Sequence, residues 1–173
     1  MTTLKPKPLH YISAYPAELQ QQVQQMIDSN DLRPFLLAKY PVPHNIASDS
    51  HLREYVMAIK NAYLKKSEPL SKIVYDSKIH VINNALGLHT YVSRVQGDKL
   101  KSKNEIRIST VFRKAPEAFL NMIAVHELAH LREKEHNKNF YQLCEHMLPD
   151  YYQLEFDARL FLIQLELGSG IYA

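Results

Sequence analysis

The sequence lacks the features that would place the protein in a membrane or outside the cell. Its 173 residues include no tryptophan and a single cysteine, Cys144. A single cysteine excludes an internal disulfide and is typical of a reducing compartment. No apolar run approaches the roughly 20 residues that span a bilayer. The N-terminal segment also lacks the apolar stretch and the small-residue cleavage site of a secretory signal. We therefore expect a cytoplasmic protein without membrane partners.

The composition that is present is that of a globular protein. Hydrophobic residues make up 46% and charged residues 23% of the chain, which excludes a wholly disordered or collagen-like polymer. The length favours one domain over residues 1–173. The net charge is only +3, and the lysines near positions 65 and 101 are more typical of solvated loops than of a nucleic-acid interface. Nucleic acid is therefore a weaker candidate partner than a peptide or protein substrate.

The predicted elements run from helices to strands and back to helices, which favours an α+β fold. Residues 1–70 form the helical N-terminal part, and residues 71–167 form a sheet with the catalytic and C-terminal helices. First-turn prolines, the cap candidates Ser48, Asp49 and Ser50, and apolar spacing predict the helices. These are Pro16–Asn30, Ser48 to before Pro69, Pro116–Lys134, Asn137–Met147 and Asp150–Leu167. Alternation predicts a three-stranded antiparallel sheet, with a first turn at Asn83, Asn84 and Gly87. Its strands are Lys72–Ile82, Leu88–Val95 and Glu105–Phe112.

The segment from His126 to His130 reads His-Glu-Leu-Ala-His and lies on the predicted helix that begins at Pro116. Histidines at positions i and i+4 lie on one face of a helix, one turn apart, so both imidazoles can reach one metal ion. Glu127 flanks the same point without having to bind the ion. A zinc hydrolase needs this arrangement, because the metal lowers the pKa of a bound water and the carboxylate accepts its proton. The pattern predicts a catalytic metal centre.

A third histidine, His136, follows six residues after His130, where the helix is expected to end. A turn there would let its imidazole return to the metal. Three protein ligands with one open position are typical of catalytic zinc. The alternatives for the third ligand are Glu145, His146, Glu155, Asp157 and Cys144. We expect His146 to face solvent or to cap its helix end, Glu155 and Asp157 to be surface acids or partners of an imidazole N–H, and Cys144 to lie in the core.

The stretch HELAHLREKEHNKNFYQLCEHMLPDY resembles the YgjP-like metallopeptidase family of bacterial proteins. The resemblance consists of HELAHL, His136, Phe140 after Asn-Lys-Asn, the Met-Leu-Pro-Asp stretch, and the strand NEIRIS that precedes the helix. It covers about Lys72 to Glu166. The chain departs from the family in lacking the Trp-Gly-Ser-Cys-like segment that many members carry, and its corresponding region is Leu88–Lys103.

This resemblance implies a zincin-like fold, related to that of the SprT-like proteases, in which the active-site helix packs on a small antiparallel sheet. It implies Zn²⁺ bound by His126, His130 and His136, with Glu127 as the general base. Some YgjP-like proteins have also been assigned a nucleoside triphosphate pyrophosphatase activity.

Peptide-bond hydrolysis is the leading functional prediction. Glu105–Thr110 is a candidate edge strand that could hold an extended peptide by strand addition. Candidates for oxyanion support are Tyr151, Tyr152 and Arg159. The second prediction is hydrolysis of a nucleotide phosphoanhydride, placed lower because the chain has no glycine-rich phosphate loop. Cations available for phosphates are Arg94, Arg107, Arg113 and Lys114. The third is a non-catalytic, metal-containing module associated with nucleic acid, which would leave Glu127 without a role.

Overall fold

A computed structural model describes residues 7–79, 87–96, 99–168 and 170–172, with the backbone alone described for 7–8, 87–96 and 99–103. The elements form an α+β fold, as predicted, with helices before and after a sheet. Within the described ranges, no helix is long and apolar enough to span a membrane.

The N-terminal part consists of a 3₁₀ helix, Lys7–Ile12, followed by α1 (Ala17–Asp28), α2 (Leu32–Lys39) and α3 (Asp49–Tyr63). Pro16 precedes α1, where its missing N–H costs no helical hydrogen bond. Of the cap candidates Ser48, Asp49 and Ser50, it is Ser48 that caps α3, because its hydroxyl accepts a hydrogen bond from the His51 amide at 3.1 Å. The helix α3 ends at Tyr63, before Pro69.

The described strands β1 (Leu70–Asp76), β2 (Gly87–Gln96) and β3 (Lys99–Ser109) form one sheet in the order β1-β3-β2. The β2–β3 pair is antiparallel, as predicted. The β1–β3 pair is parallel, with Tyr75 opposite Ile108, so the prediction of a wholly antiparallel sheet is wrong. Alternation identifies a strand and its buried face but not its partner or direction. The predicted turn residues Asn83 and Asn84 lie outside the described residues, and Gly87 is the first residue of β2.

A 3₁₀ helix, Thr110–Lys114, leads from β3 into the C-terminal helices α4 (Glu117–Ala129), α5 (Lys138–Met147) and α6 (Tyr151–Glu166). The prediction that α4 extends to Lys134 is wrong. The chain tightens after Ala129, where the Leu131 amide bonds the Leu128 carbonyl at 3.0 Å and the Arg132 amide bonds the Ala129 carbonyl at 3.1 Å. Such i→i−3 bonds end an α-helix in a tighter turn.

The helix α4 lies in the middle of the molecule. Its residues from Met122 to Ala129 are all buried, and it contacts β2 and β3 as well as α3, α5 and α6. One cluster of buried apolar residues reaches from Ile12 and Leu36 through α4 to Ile163. The helix that carries the motif is therefore fixed by packing on several sides. The assignment of residues 1–173 to one metallohydrolase domain, divided near residue 70, stays a prediction.

Candidate metal centre

Two of the predicted ligands lie at the buried end of α4. His126 is only 7% exposed, and His130 is the residue at which the helix ends. Their rings face each other at a centroid distance of 5.1 Å, as expected for histidines one helical turn apart. The sequence spacing therefore translates directly into two adjacent imidazoles.

The turn after α4 returns His136 to the same point. Its Nε2 atom lies 3.2 Å from Nε2 of His126 and 3.1 Å from Nε2 of His130. Of the described His, Cys, Asp and Glu side chains, these three alone form a cluster that could hold a metal ion, with ligand atoms all within 4.8 Å of one another. The three atoms converge although His126 is buried and His136 is exposed.

Hydrogen bonds at the opposite ring nitrogens orient the imidazoles. Nδ1 of His130 lies 2.9 Å from the backbone carbonyl of Glu133. A carbonyl can only accept, so Nδ1 carries the proton and Nε2 keeps its lone pair. Nδ1 of His126 lies 2.7 Å from the hydroxyl of Tyr151. Partners of this kind hold a metal-binding histidine in the tautomer and orientation that the metal needs.

Phe140 lies beneath all three rings. Its ring centroid is 4.9 Å from that of His126, 4.6 Å from that of His130 and 4.9 Å from that of His136. Asn137 positions this phenylalanine at the start of α5, because its side-chain oxygen accepts a hydrogen bond from the Phe140 amide at 2.9 Å. The cap of α5 thereby helps to set the shape of the site.

Glu127 is the buried carboxylate of the site, with 1% of its surface exposed. Its Oε2 atom has no hydrogen-bond partner among the described residues, and burial raises the pKa of its carboxyl group to about 8. Burial, together with the nearby His130 and His136, lowers the pKa of His126 well below its usual value. His126 is therefore neutral at pH 7, the form in which an imidazole binds metal.

These observations fit a metal ion. Three nitrogen donors converge, the His130 tautomer is compatible with binding through Nε2, and Glu127, adjacent to His126 in the chain, has a buried carboxylate oxygen without a partner in the part of the chain that the structure describes. Imidazole ligands suit zinc and other first-row transition metals. The three histidines could hold such an ion.

A family model described as "YgjP-like, metallopeptidase domain" matches residues 76–157, which include all three histidines and Glu127. A UTP pyrophosphatase of Escherichia coli (strain K12) is 58% identical over 162 residues, covering 94% of this chain and 97% of that protein. The chain belongs to the YgjP-like family. Both descriptions are those of hydrolases and, with the histidine cluster, they indicate a metal-dependent hydrolase. No solved structure matches the chain.

In this YgjP-like protein the alternative ligands lie apart from the cluster. Glu145 and His146 are exposed, and Cys144 is fully buried in the core, as predicted. The expectation that Glu155 and Asp157 are surface acids is wrong, since they are 8% and 0% exposed.

Each of these two acids has a charged partner. Asp157 accepts hydrogen bonds from Lys39 Nζ at 2.7 Å and from the Tyr40 hydroxyl at 2.5 Å. Glu155 pairs with Arg159 at 3.1 Å. Asp157 therefore connects the N-terminal part to α6, and Glu155 forms an ion pair within α6. Neither acid is a member of the histidine cluster.

The three candidates for oxyanion support differ in their hydrogen-bond partners and in their exposure. The Tyr151 hydroxyl is engaged at Nδ1 of His126, on the ring edge opposite Nε2. Arg159 is held by Glu155 and by the Tyr11 carbonyl, to which it donates at 2.9 Å. Tyr152 is 51% exposed. Tyr151 is thus a positioning residue for His126, which the sequence could not reveal because 25 residues separate the two.

The four cations predicted to be available for phosphates lie in different surroundings. Arg107 pairs with Asp76 and Glu105, and the Arg113 guanidinium lies 4.9 Å from the Tyr75 ring centroid. Lys114 is exposed, and the Arg94 side chain lies outside the described residues.

The expectation that Glu105–Thr110 forms an edge strand is wrong, because β3 lies between β1 and β2. A hairpin places β2 on one side of β3, and β1 takes the other.

Proposed function

We propose that the protein is a zinc-dependent nucleoside triphosphate pyrophosphatase that hydrolyses UTP to UMP and pyrophosphate. The convergence of three Nε2 atoms, with the buried Glu127 adjacent to His126 in the chain, supports a metal-dependent hydrolysis. The name of the 58% identical relative, which aligns over 94% of this chain, supports UTP as the substrate.

His126, His130 and His136 would hold the zinc ion through Nε2. When bound, the ion would lower the pKa of a water molecule and polarise a phosphate oxygen. Glu127 would act as the general base: burial raises the pKa of its carboxyl group to about 8, and a bound cation would favour the ionised form, which could then accept the proton of the attacking water. Tyr151 and the Glu133 carbonyl would keep the two α4 imidazoles in place. One water is consumed, and the bond between the α- and β-phosphates breaks.

The sequence alone favours peptide-bond hydrolysis over nucleotide hydrolysis, and the proposed function has the opposite order. The absence of a glycine-rich phosphate loop is the reason for placing nucleotide hydrolysis second, but a metal ion can itself bind and neutralise phosphate oxygens. A loop of that type is therefore dispensable at a site built around three imidazoles.

Peptide-bond hydrolysis is the second candidate, and the description of the family model as a metallopeptidase domain supports it. The same residues would serve, with Glu127 passing the proton on to the leaving amine. Extended protein substrates would then be the partners. The two candidates are distinguished by the substrate, UTP or a peptide, that the wild type hydrolyses and that the Glu127 variant no longer hydrolyses.

The direct test is to incubate the zinc-loaded protein with UTP and separate the products by ion-exchange chromatography. We expect UMP and pyrophosphate in equal amounts. Replacing Glu127 by Gln should reduce the rate at least about 10³-fold, since the general base and the electrostatic environment of the reaction are both changed, while the zinc content stays the same. Glu54→Gln, an exposed change on α3, is the matched control and should be fully active.

Three outcomes would overturn the assignment. Release of UDP and phosphate would show another cleavage position. An inactive wild type toward UTP, combined with zinc- and Glu127-dependent cleavage of casein or a peptide library, would establish the peptidase instead. Salt-sensitive DNA binding without any turnover would favour the non-catalytic module.

A further inference from the structure

A short series of aromatic rings leads from the metal centre to the protein surface. The Tyr141 ring centroid lies 6.5 Å from that of His136. Tyr152 follows at 5.5 Å from Tyr141, with an interplanar angle of 24°, so the two tyrosine rings are stacked. The two tyrosines come from different helices, α5 and α6, which the turn at residues 148–150 brings together.

The two consecutive tyrosines at the start of α6 differ sharply in exposure. Tyr151, whose hydroxyl bonds His126, is 0% exposed, whereas its neighbour Tyr152 is 51% exposed. Tyr152 is supported on one face by Tyr141 and meets Tyr151 edge-on at 5.9 Å. An aromatic ring that is backed by a second ring and still half exposed offers a fixed, flat, apolar surface next to the site.

We propose that Tyr152, backed by Tyr141, is the platform on which the uracil base of UTP stacks. The proposal rests on the proposed function, and it adds a specificity-determining residue to it. In a nucleoside triphosphate, the ribose and the α-phosphate separate the base from the bond that is cut. A base platform therefore has to lie beyond the ring of ligands, and Tyr152 is two ring contacts away from His136.

The chemistry of the platform favours a base over other occupants. Every base has a π-face, and stacking on aromatic side chains is the common way in which proteins hold an unpaired base without reading its edge. Such a platform distinguishes substrates with a base from those without one, but it discriminates weakly between bases. Uracil specificity would need further polar contacts, so we expect CTP to be hydrolysed as well.

The first test compares UTP with inorganic tripolyphosphate, which carries the same kind of bond but no base. Tyr152→Leu should lower kcat/KM for UTP about tenfold, because stacking contributes on the order of 1–3 kcal/mol per base. The change should fall on KM with kcat unchanged, since the base is held equally in the ground state and the transition state. Hydrolysis of tripolyphosphate should not change. Tyr152→Phe, which keeps the ring, should behave as the wild type.

Tyr63→Leu is the matched control. Tyr63 is also an exposed tyrosine, at 45%, but its ring meets His146 on the last turn of α5 instead of a ligand of the metal. This variant should leave both substrates unaffected. The zinc content of every variant is measured alongside, so that a loss of metal is not mistaken for a loss of base binding.

A second test measures binding without turnover. The chain has no tryptophan, so Tyr152→Trp introduces a single fluorescent reporter at the platform. Titration with UMP should quench its emission, whereas ribose 5-phosphate should not, and Tyr63→Trp should respond to neither.

The outcomes separate the two proposals. If the wild type hydrolyses UTP and Tyr152→Leu leaves KM unchanged, the platform is wrong and the pyrophosphatase stands. If the wild type does not hydrolyse UTP, the pyrophosphatase fails, and the platform fails with it unless UMP quenches the Tyr152→Trp variant selectively. Quenching of the Tyr63→Trp control to the same extent would also overturn the platform.

Discussion

His126 and His136 bring equivalent Nε2 atoms to the candidate metal centre, yet they lie in very different surroundings. His126 is buried within α4, with its second nitrogen bonded to the Tyr151 hydroxyl at 2.7 Å. His136 is exposed and is carried by the irregular turn between α4 and α5. Core packing therefore fixes His126 even without a metal ion, whereas the position of His136 depends on the conformation of the turn. Variants at the two positions should therefore fail in different ways.

The largest expected difference is in stability. His126→Ala removes a buried ring together with its hydrogen bond to the Tyr151 hydroxyl, so the free energy of unfolding of the metal-free protein should fall by about 2–4 kcal/mol. His136→Ala changes an exposed side chain and should alter it by no more than about 0.5 kcal/mol. Urea unfolding in the presence of a chelator measures both, and UTP hydrolysis should be lost in both. Equal destabilisation would show that the two surroundings do not differ as described.

The next effect concerns the residue that holds the buried ligand. Tyr151→Phe keeps the packing but removes the hydroxyl that bonds Nδ1 of His126. Loss of such an outer partner typically lowers metal affinity or activity about 10–100-fold. Competition with a zinc chelator gives the affinity, and Tyr141→Phe is the control because no hydroxyl contact joins Tyr141 to a described histidine nitrogen. An unchanged affinity in Tyr151→Phe would show that packing alone orients His126.

The smallest effect is expected on the side of the turn. Asn137→Ala removes the cap that begins α5 immediately after His136 and holds the Phe140 amide at 2.9 Å. The loss of a helix cap costs about 1 kcal/mol, and thermal unfolding measures it. Asn139→Ala, on the exposed surface of the same helix, is the control. If both variants unfold at the same temperature, the cap does not stabilise this side of the site.

Much of the site could be predicted because it depends on local spacing. The i and i+4 positions of His126 and His130 on one helix bring their rings together, and the bounds of α5 follow from Asn137 and the apolar periodicity. The point at which α4 ends was less predictable. Apolar periodicity continues to Leu131, but the backbone tightens after Ala129 as the chain turns to return His136.

What the sequence could not provide are contacts between distant elements. No spacing relates Tyr151 to His126, and only the packing of α6 against α4 brings them together. Asp157 is charged and so was expected at the surface, but Lys39 and Tyr40 of the N-terminal part satisfy it in a buried position. The pairing of β1 with β3 likewise joins segments that are distant in the sequence, and alternation alone does not specify its direction.

The most direct measurement is the metal content of the purified protein and of His136→Ala, by inductively coupled plasma mass spectrometry after incubation with Zn²⁺ and removal of excess ion. A site formed by three imidazoles predicts about one zinc per chain in the wild type and a large loss in the variant. Full zinc content in His136→Ala would contradict this ligand set, and the absence of any bound metal in the reconstituted wild type would contradict the metal-dependent hydrolase itself.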